Sequence, residues 1–244
     1  MTGPVAHVVV ADELALFLRP AYRARPVPVP VTCDGVSSLG HVVESIGVPL
    51  TEVGSLIVNG SAAERGYRPR GGDTVQVRAV ERPQQLEEAR FLLDVHLGTV
   101  ARRMRLLGID TAYHRDAADD DLINEANANR RILLTQDRGL LRRRKLQRGA
   151  YVRGASPDVQ FSDILDRFAP PLAPWTRCTA CNGRLAPARK ADVESDLEPG
   201  TRRTYQSFAR CQACGRVYWR GAHARRLEET VEAAIRIVAV ARGG

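Results

Sequence analysis

Four cysteines stand in two pairs, Cys178-x-x-Cys181 and Cys211-x-x-Cys214. A CxxC turn presents two sulfurs to one borderline-soft divalent ion, and two such turns complete a tetrahedron. A four-thiolate shell leaves no position open for substrate, so the chemistry expected is a structural zinc site. A second set consists of acids. Asp94 closes the apolar run RFLL, Asp137 closes RILLTQ, and Asp116, Asp119, Asp120 and Asp121 gather at the start of DDDLINEANANR. Carboxylates that close repel and hold protons unless a cation neutralises them. Mg²⁺ or Mn²⁺ would do so, and such an ion can activate water and steady the leaving oxygen of a phosphodiester. A cationic block comes directly after Asp137: Arg138, Arg142, Arg143, Arg144, Lys145 and Arg148. Cations beside metal-binding acids are suited to gripping a phosphate backbone. Each feature also has a plainer reading. Asp137 is a good helix cap, acids in a first turn complement the helix dipole, and a basic run can be a solvated helix face.

The elements that would carry these acids alternate along residues 88–169. RFLLD, IDTAYH, RILLTQD and AYVRG read as strands. GTVARRMRLLG, DDDLINEANANR, RGLLRRRKLQ and SPDVQFSDILDRF read as helices, the last capped by Ser156 with Pro157 in its first turn. RILLTQD is apolar almost throughout, as a central strand of a parallel sheet must be. A βα alternation of this kind winds into a parallel α/β sheet with right-handed crossovers. Ligands of such sheets sit at the carboxyl ends of the strands, where Asp94 and Asp137 fall.

Residues 1–82 read differently. VAHVVV and PVPVPVT are extended, SSLGHVVESIG is a short helix opened by Ser37 or Ser38, and SLIV-NG and GGD-TVQVRAV supply strands and turns. Strands around one helix describe a β-grasp. "IVNG" and "YRPRGGDTVQV" resemble the ubiquitin-like sulfur-carrier type of β-grasp. That resemblance implies a free diglycine tail after the last strand, but here the chain runs on into Val80, Glu81, Arg82 and Pro83. Arg242-Gly243-Gly244 is read as a chance ending of the final helix. The domain is therefore expected to dock a protein partner rather than carry sulfur. The link PQQLEEA joins it to the α/β domain. PPLAPW is expected as a hinge before a third domain, 170–244, a zinc ribbon with a helix over about 223–241. The class expected is multidomain, α+β and α/β.

"RFLLDVHLGTVARRMRLLGIDT", "RDAADDDLINEA" and "RILLTQDRGLLRR", with the ribbon and its "VYWRGAH", resemble the PIN-like ribonuclease domain named for the C-terminus of the Mut-seven exonuclease. The resemblance covers residues 88 to about 241, and a preceding β-grasp is an arrangement also associated with that family. It implies that Asp94 and Asp137 bind catalytic Mg²⁺ or Mn²⁺ with a middle acid, Asp119 or its neighbour Asp120. It also implies RNA contacts from Arg102 and Arg105 and from His223, with Ala222 standing where Ser is usual. Arg138, Arg142, Arg143, Arg144 and Lys145 extend that RNA-binding face.

The net charge of +8 over 244 residues favours an anionic partner, RNA first. Arg216, Tyr218, Trp219 and Arg220 interleave charge with aromatic rings, which suits stacking on unpaired bases or the packing of the ribbon's own small core. No run reaches the roughly 18 apolar residues of a membrane span, and the start of the chain lacks a basic flank, so a cytoplasmic protein is expected. The function expected is a metal-dependent ribonuclease with RNA as its partner; whether structured RNA such as tRNA is preferred is left open by the sequence. The rival is a non-catalytic RNA-binding or partner-docking protein with a structural zinc.

Overall fold

The computed structural model describes residues 3–23, 28–221 and 224–243. The chain packs as two compact units, Met1–Glu81 with Thr135–Tyr151, and Arg82–Leu134 with Val152–Gly244.

In the first unit β1 (Val5–Val10) and β2 (Val29–Thr32) are antiparallel, and a 3-10 turn (Asp12–Phe17) and the short α1 (Pro20–Arg23) lie between them. Helix α2 (Leu39–Ile46) starts on Ser38, whose hydroxyl accepts the His41 N–H at 3.3 Å, and ends on left-handed Gly47. Its apolar residues recur at Leu39, Val42, Val43 and Ile46, one helical stripe, and all four are buried. Strands β3 (Val53–Val58), β4 (Ser61–Ala63) and β5 (Thr74–Ala79) complete a mixed sheet of order β2-β1-β5-β3-β4, with β1 and β5 parallel. This is the β-grasp. The segment 135–151 groups with this unit. That segment holds α5 (Arg138–Leu141) and β9 (Gly149–Tyr151). Tyr151 meets Phe17 edge to face at 5.1 Å, and its backbone N–H donates to Oε1 of the buried Glu52 at 2.8 Å.

In the second unit β6 (Arg90–Leu93) lies between β7 (Asp110–Tyr113) and β8 (Ile132–Thr135), parallel to both. Within this unit the strand order is therefore β7-β6-β8. Phe91, Leu92 and Leu93 are all fully buried, which explains an apolar run without alternation. Helix α3 (Gly98–Leu106) packs on β7 and on α6 (Pro157–Phe168), and α4 (Asp119–Ala128) comes after β7. Ser156 caps α6 through the Val159 N–H. The ribbon sheet is antiparallel, β10 (Leu185–Ala188), β11 (Phe208–Cys211) and β12 (Val217–Trp219). Between its cysteine pairs lie the short helices α7 (Lys190–Val193) and α8 (Pro199–Thr204), where the sequence showed only charge and turn residues; Val193, Leu197 and Phe208 bury a small core there. Helix α9 (Ala224–Gly243) packs against α6.

The stretch expected as a hinge is tied down instead. Ala173 N–H donates to Leu107 O and Trp175 N–H to Leu106 O, so the chain runs bonded along the end of α3. A Cβ on Gly108 would meet Ala173 O at 2.0 Å, so only glycine permits that approach. Asp110 then gathers Arg131 at 2.7 Å, Asn182 at 2.8 Å and Arg177 at 3.2 Å, joining ribbon to sheet. Burial acts against its charge, but the bonds from Arg131 and Asn182 hold the carboxyl below its ordinary range.

Candidate metal centres and RNA-facing residues

Asp94 lies at the carboxyl end of β6, 7% exposed, and its Oδ1 accepts the Val95 N–H at 2.6 Å to open a 3-10 turn. Asp137 lies just beyond β8 and caps α5: Oδ1 accepts from Gly139 N–H at 2.6 Å and Leu140 N–H at 3.3 Å. Both bonds use the same oxygen, and Oδ2 of this exposed residue has no hydrogen-bond partner among the described residues. Asp119, Asp120 and Asp121 are exposed in the first turn of α4, behind Ala118, which offers no side-chain cap. The capping role weighed from sequence for Asp137 is thus real, and Asp94 caps its turn as well. Among the described residues, no carboxylate belongs to a group of three or more His, Cys, Asp or Glu whose ligand atoms lie within 4.8 Å of one another.

The cysteines do form such a group: the Sγ atoms of Cys178, Cys181, Cys211 and Cys214 all lie within 4.8 Å of each other. Cys181 and Cys211 sulfurs are 3.4 Å apart and those of Cys178 and Cys214 3.7 Å. Tetrahedral Zn–S bonds of about 2.3 Å would set S···S near about 3.8 Å, so the cage fits an ion such as zinc. Backbone N–H groups of Cys181, Gly183 and Cys214 point at the sulfurs, and Tyr218 Oη lies 3.0 Å from Cys178 Sγ. Against the effect of burial, the Tyr218 hydroxyl and the amides of Cys181 and Ala180 draw the Cys178 thiol down to about 6, while burial and the neighbouring sulfurs push Cys181 up to about 12. One thiolate in the cage thus keeps its neighbour protonated, and a divalent cation is what would let all four ionise. Gly183, just past the first pair, leaves the cage its space: a Cβ there would stand 2.8 Å from the Cys211 sulfur and 2.7 Å from Ala213 Cβ.

Helix α5 ends at Leu141 instead of running through RGLLRRRKLQ. Buried Leu140, Leu141 and Leu146 anchor the segment, and the chain turns so that Arg142, Arg143, Arg144 and Lys145 are exposed between those anchors. Arg138 lies over the rings of Phe17 and Tyr151, its guanidinium 5.9 Å from each centroid. Arg102 is exposed on α3. Arg105 is not: it is 4% exposed, and it donates to Thr111 O at 2.8 Å, Ala180 O at 2.7 Å and Thr179 O at 3.2 Å. Its reading as an RNA contact is corrected on that ground, since a guanidinium spent on three carbonyls fastens the first Cys turn to α3. Burial pulls its pKa down from the usual arginine value. Ala222 and His223 lie outside the described residues.

The model of the Mut7-C RNAse domain matches residues 89–231, and that of the Mut7-C ubiquitin domain matches residues 3–85. The chain belongs to the Mut7-C RNAse family. No curated protein and no solved structure shows a significant match. The Mut7-C pair of matches agrees with the β-grasp and with the α/β-plus-ribbon unit, and it ties the second unit to RNA chemistry.

Sequence reasoning missed the residues that hold these Mut7-C elements in place. Thr135, fully buried at the end of β8, accepts the Asp137 N–H on its hydroxyl at 2.8 Å. Tyr113 Oη donates to Val95 O at 2.9 Å and so pins the turn just past Asp94. Glu52 holds Tyr151, at the far end of the segment that carries Asp137. Thr135 has a sequence signal, two places before the acid. Glu52 has none, since a lone acid in LTEVG resembles any surface glutamate. Among the described residues no helix is long and apolar enough to cross a membrane.

Proposed function

We propose that this protein is a metal-dependent ribonuclease that hydrolyses RNA phosphodiester bonds. The observation that carries the reading is the Mut7-C RNAse match over residues 89–231, with Asp94 and Asp137 placed after strands of a parallel sheet. Asp94, Asp137 and either Asp119 or Asp120 are the proposed holders of Mg²⁺ or Mn²⁺. Such an ion, when bound, would supply an activated water and charge stabilisation. In this reading Asp137 divides its oxygens, Oδ1 to the α5 amides and Oδ2 to the cation, and Asp94 likewise combines a capping bond with charge. Arg102, Arg142, Arg143, Arg144 and Lys145 bind backbone phosphate, and Arg138 adds its charge from over the two rings. The cysteine cage holds Zn²⁺ as a structural ion. The β-grasp offers a surface for a protein partner, and the proposed location is the cytoplasm.

The capping bonds of Asp94 and Asp137 favour a second reading, a non-catalytic RNA-binding protein. Incubating purified protein with total RNA, with and without Mg²⁺ or Mn²⁺, and sequencing the ends decides. Defined cuts that need the ion support the nuclease. RNA that is bound but intact under every ion supports the second reading.

A further inference from the structure

The chain contains two tryptophans, Trp175 and Trp219, and both line the same cavity of ≈ 530 Å³. Tyr205, Phe208, Tyr218 and Arg220 share its wall. The sequence placed only Tyr218, Trp219 and Arg220 near each other; Trp175 arrives from the proline-rich stretch because its N–H is bonded to Leu106 O. Trp219 is 41% exposed, so an aromatic face is open to a ligand. Tyr218 is oriented by its hydroxyl contact with Cys178. The Arg220 guanidinium lies 5.3 Å from the Trp175 ring centroid and meets Glu228 only at 3.9 Å, in a loose exposed pair.

We propose that this cavity binds an unpaired nucleobase of RNA, a purine in preference, stacked on Trp219 with Arg220 beside its phosphate. The volume falls in the range of small-molecule sites, roughly 300–1,000 Å³. Aromatic walls give a flat ring large contact without demanding a sequence, and arginine at the rim adds attraction for the attached phosphate. Charge complementarity decides the occupant: on a chain of net +8 an arginine-flanked aromatic cavity favours a ring that carries an anion over an uncharged apolar side chain. The inference rests on the RNA-binding half of the proposed function and not on cleavage.

Because both tryptophans line the cavity, intrinsic indole fluorescence reports on it directly. The full chain, without added divalent ion, is titrated with single-stranded oligoadenylate, oligouridylate and an abasic sugar-phosphate of equal length. Saturable quenching is expected with oligoadenylate, weaker quenching with oligouridylate and none with the abasic strand. Trp219→Ala should weaken oligoadenylate binding about tenfold or more, as loss of one stacked base does, while zinc content and melting temperature hold. Trp219→Phe keeps a stacking face and should restore most of the affinity, which a merely structural role would not predict. If Trp219→Ala disturbs the ribbon, Arg220→Ala, altering an exposed side chain, should still lower oligoadenylate affinity. Equal binding of basic and abasic strands, or oligoadenylate affinity unmoved by Trp219→Ala, overturns the proposal, as does fluorescence that answers only to an apolar peptide. A chain that cuts RNA but fails this test keeps the nuclease reading and loses the cavity. A chain that passes but cuts nothing does the reverse.

Discussion

Replacing Asp137 by Asn separates its two roles, because the structure assigns both amide bonds to Oδ1. Asn keeps a carbonyl oxygen at that position and puts an NH₂ where Oδ2 stood. Asn caps about as well as Asp, so stability should change by only a few tenths of a kcal/mol, or about 1 °C in Tm for a chain of this size. The NH₂ group can neither ligate a cation nor neutralise its charge. A loss of about 100-fold in metal-dependent cleavage corresponds to about 2.7 kcal/mol of barrier, within reach of one lost ligand. Asp137→Ala removes both functions. It should show the same catalytic loss plus about 1 kcal/mol from the missing cap, read as a Tm lower by about 2–4 °C. The assay pairs single-turnover cleavage of a labelled RNA, over a range of Mg²⁺, with thermal melting of wild type, Asn and Ala proteins. RNA binding should persist in both variants, since removing an acid beside Arg142 and Arg143 does not repel phosphate. A folded Asn variant with full metal-dependent activity would falsify the assignment and leave Asp137 as a cap alone.

Elemental analysis should find about one Zn per chain, and Cys211→Ser should lower it and destabilise the ribbon; wild-type protein that is metal-free and equally stable refutes the cage. Glu52→Ala leaves the Tyr151 N–H without its acceptor, which costs about 1–3 kcal/mol for a buried group, whereas Glu52→Gln keeps an acceptor. The Ala variant, and a chain starting near residue 82, should therefore loosen 135–151 and lower cleavage. Hydrogen exchange over that segment checks this, and unchanged protection counts against it. Asp110 has a folded-state pKa held below its unfolded value, so its stabilisation is present above the unfolded pKa and is lost as pH falls through the folded one. Asp110→Asn should accordingly flatten the acid limb of a Tm-versus-pH curve; a parallel shift without flattening would contradict the linkage.

The sequence alone determined whatever depends on local spacing. Two CxxC turns announce a sulfur cage because two residues between thiols suit one ion. Apolar runs such as RFLL and RILL announce buried parallel strands, and Ser38 and Ser156 announce helix starts by offering a hydroxyl where amides lack partners. Asp137 was legible as either a ligand or a cap, and a local pattern cannot separate them, since both need an acid after a strand. Tertiary structure decided what depends on distant segments meeting. Arg102 and Arg105 lie on one helix in one motif, yet one is exposed and the other is spent on Thr111, Thr179 and Ala180 carbonyls, because the first Cys turn lands on only one side of α3. Glu52 gained its role from a strand 99 residues away in sequence, and Trp175 came to line one cavity with Trp219 because glycine at 108 lets the proline-rich stretch lie against the end of α3. Spacing fixes which atoms a short segment can present. Burial and long-range hydrogen bonds fix which of them remain available for chemistry.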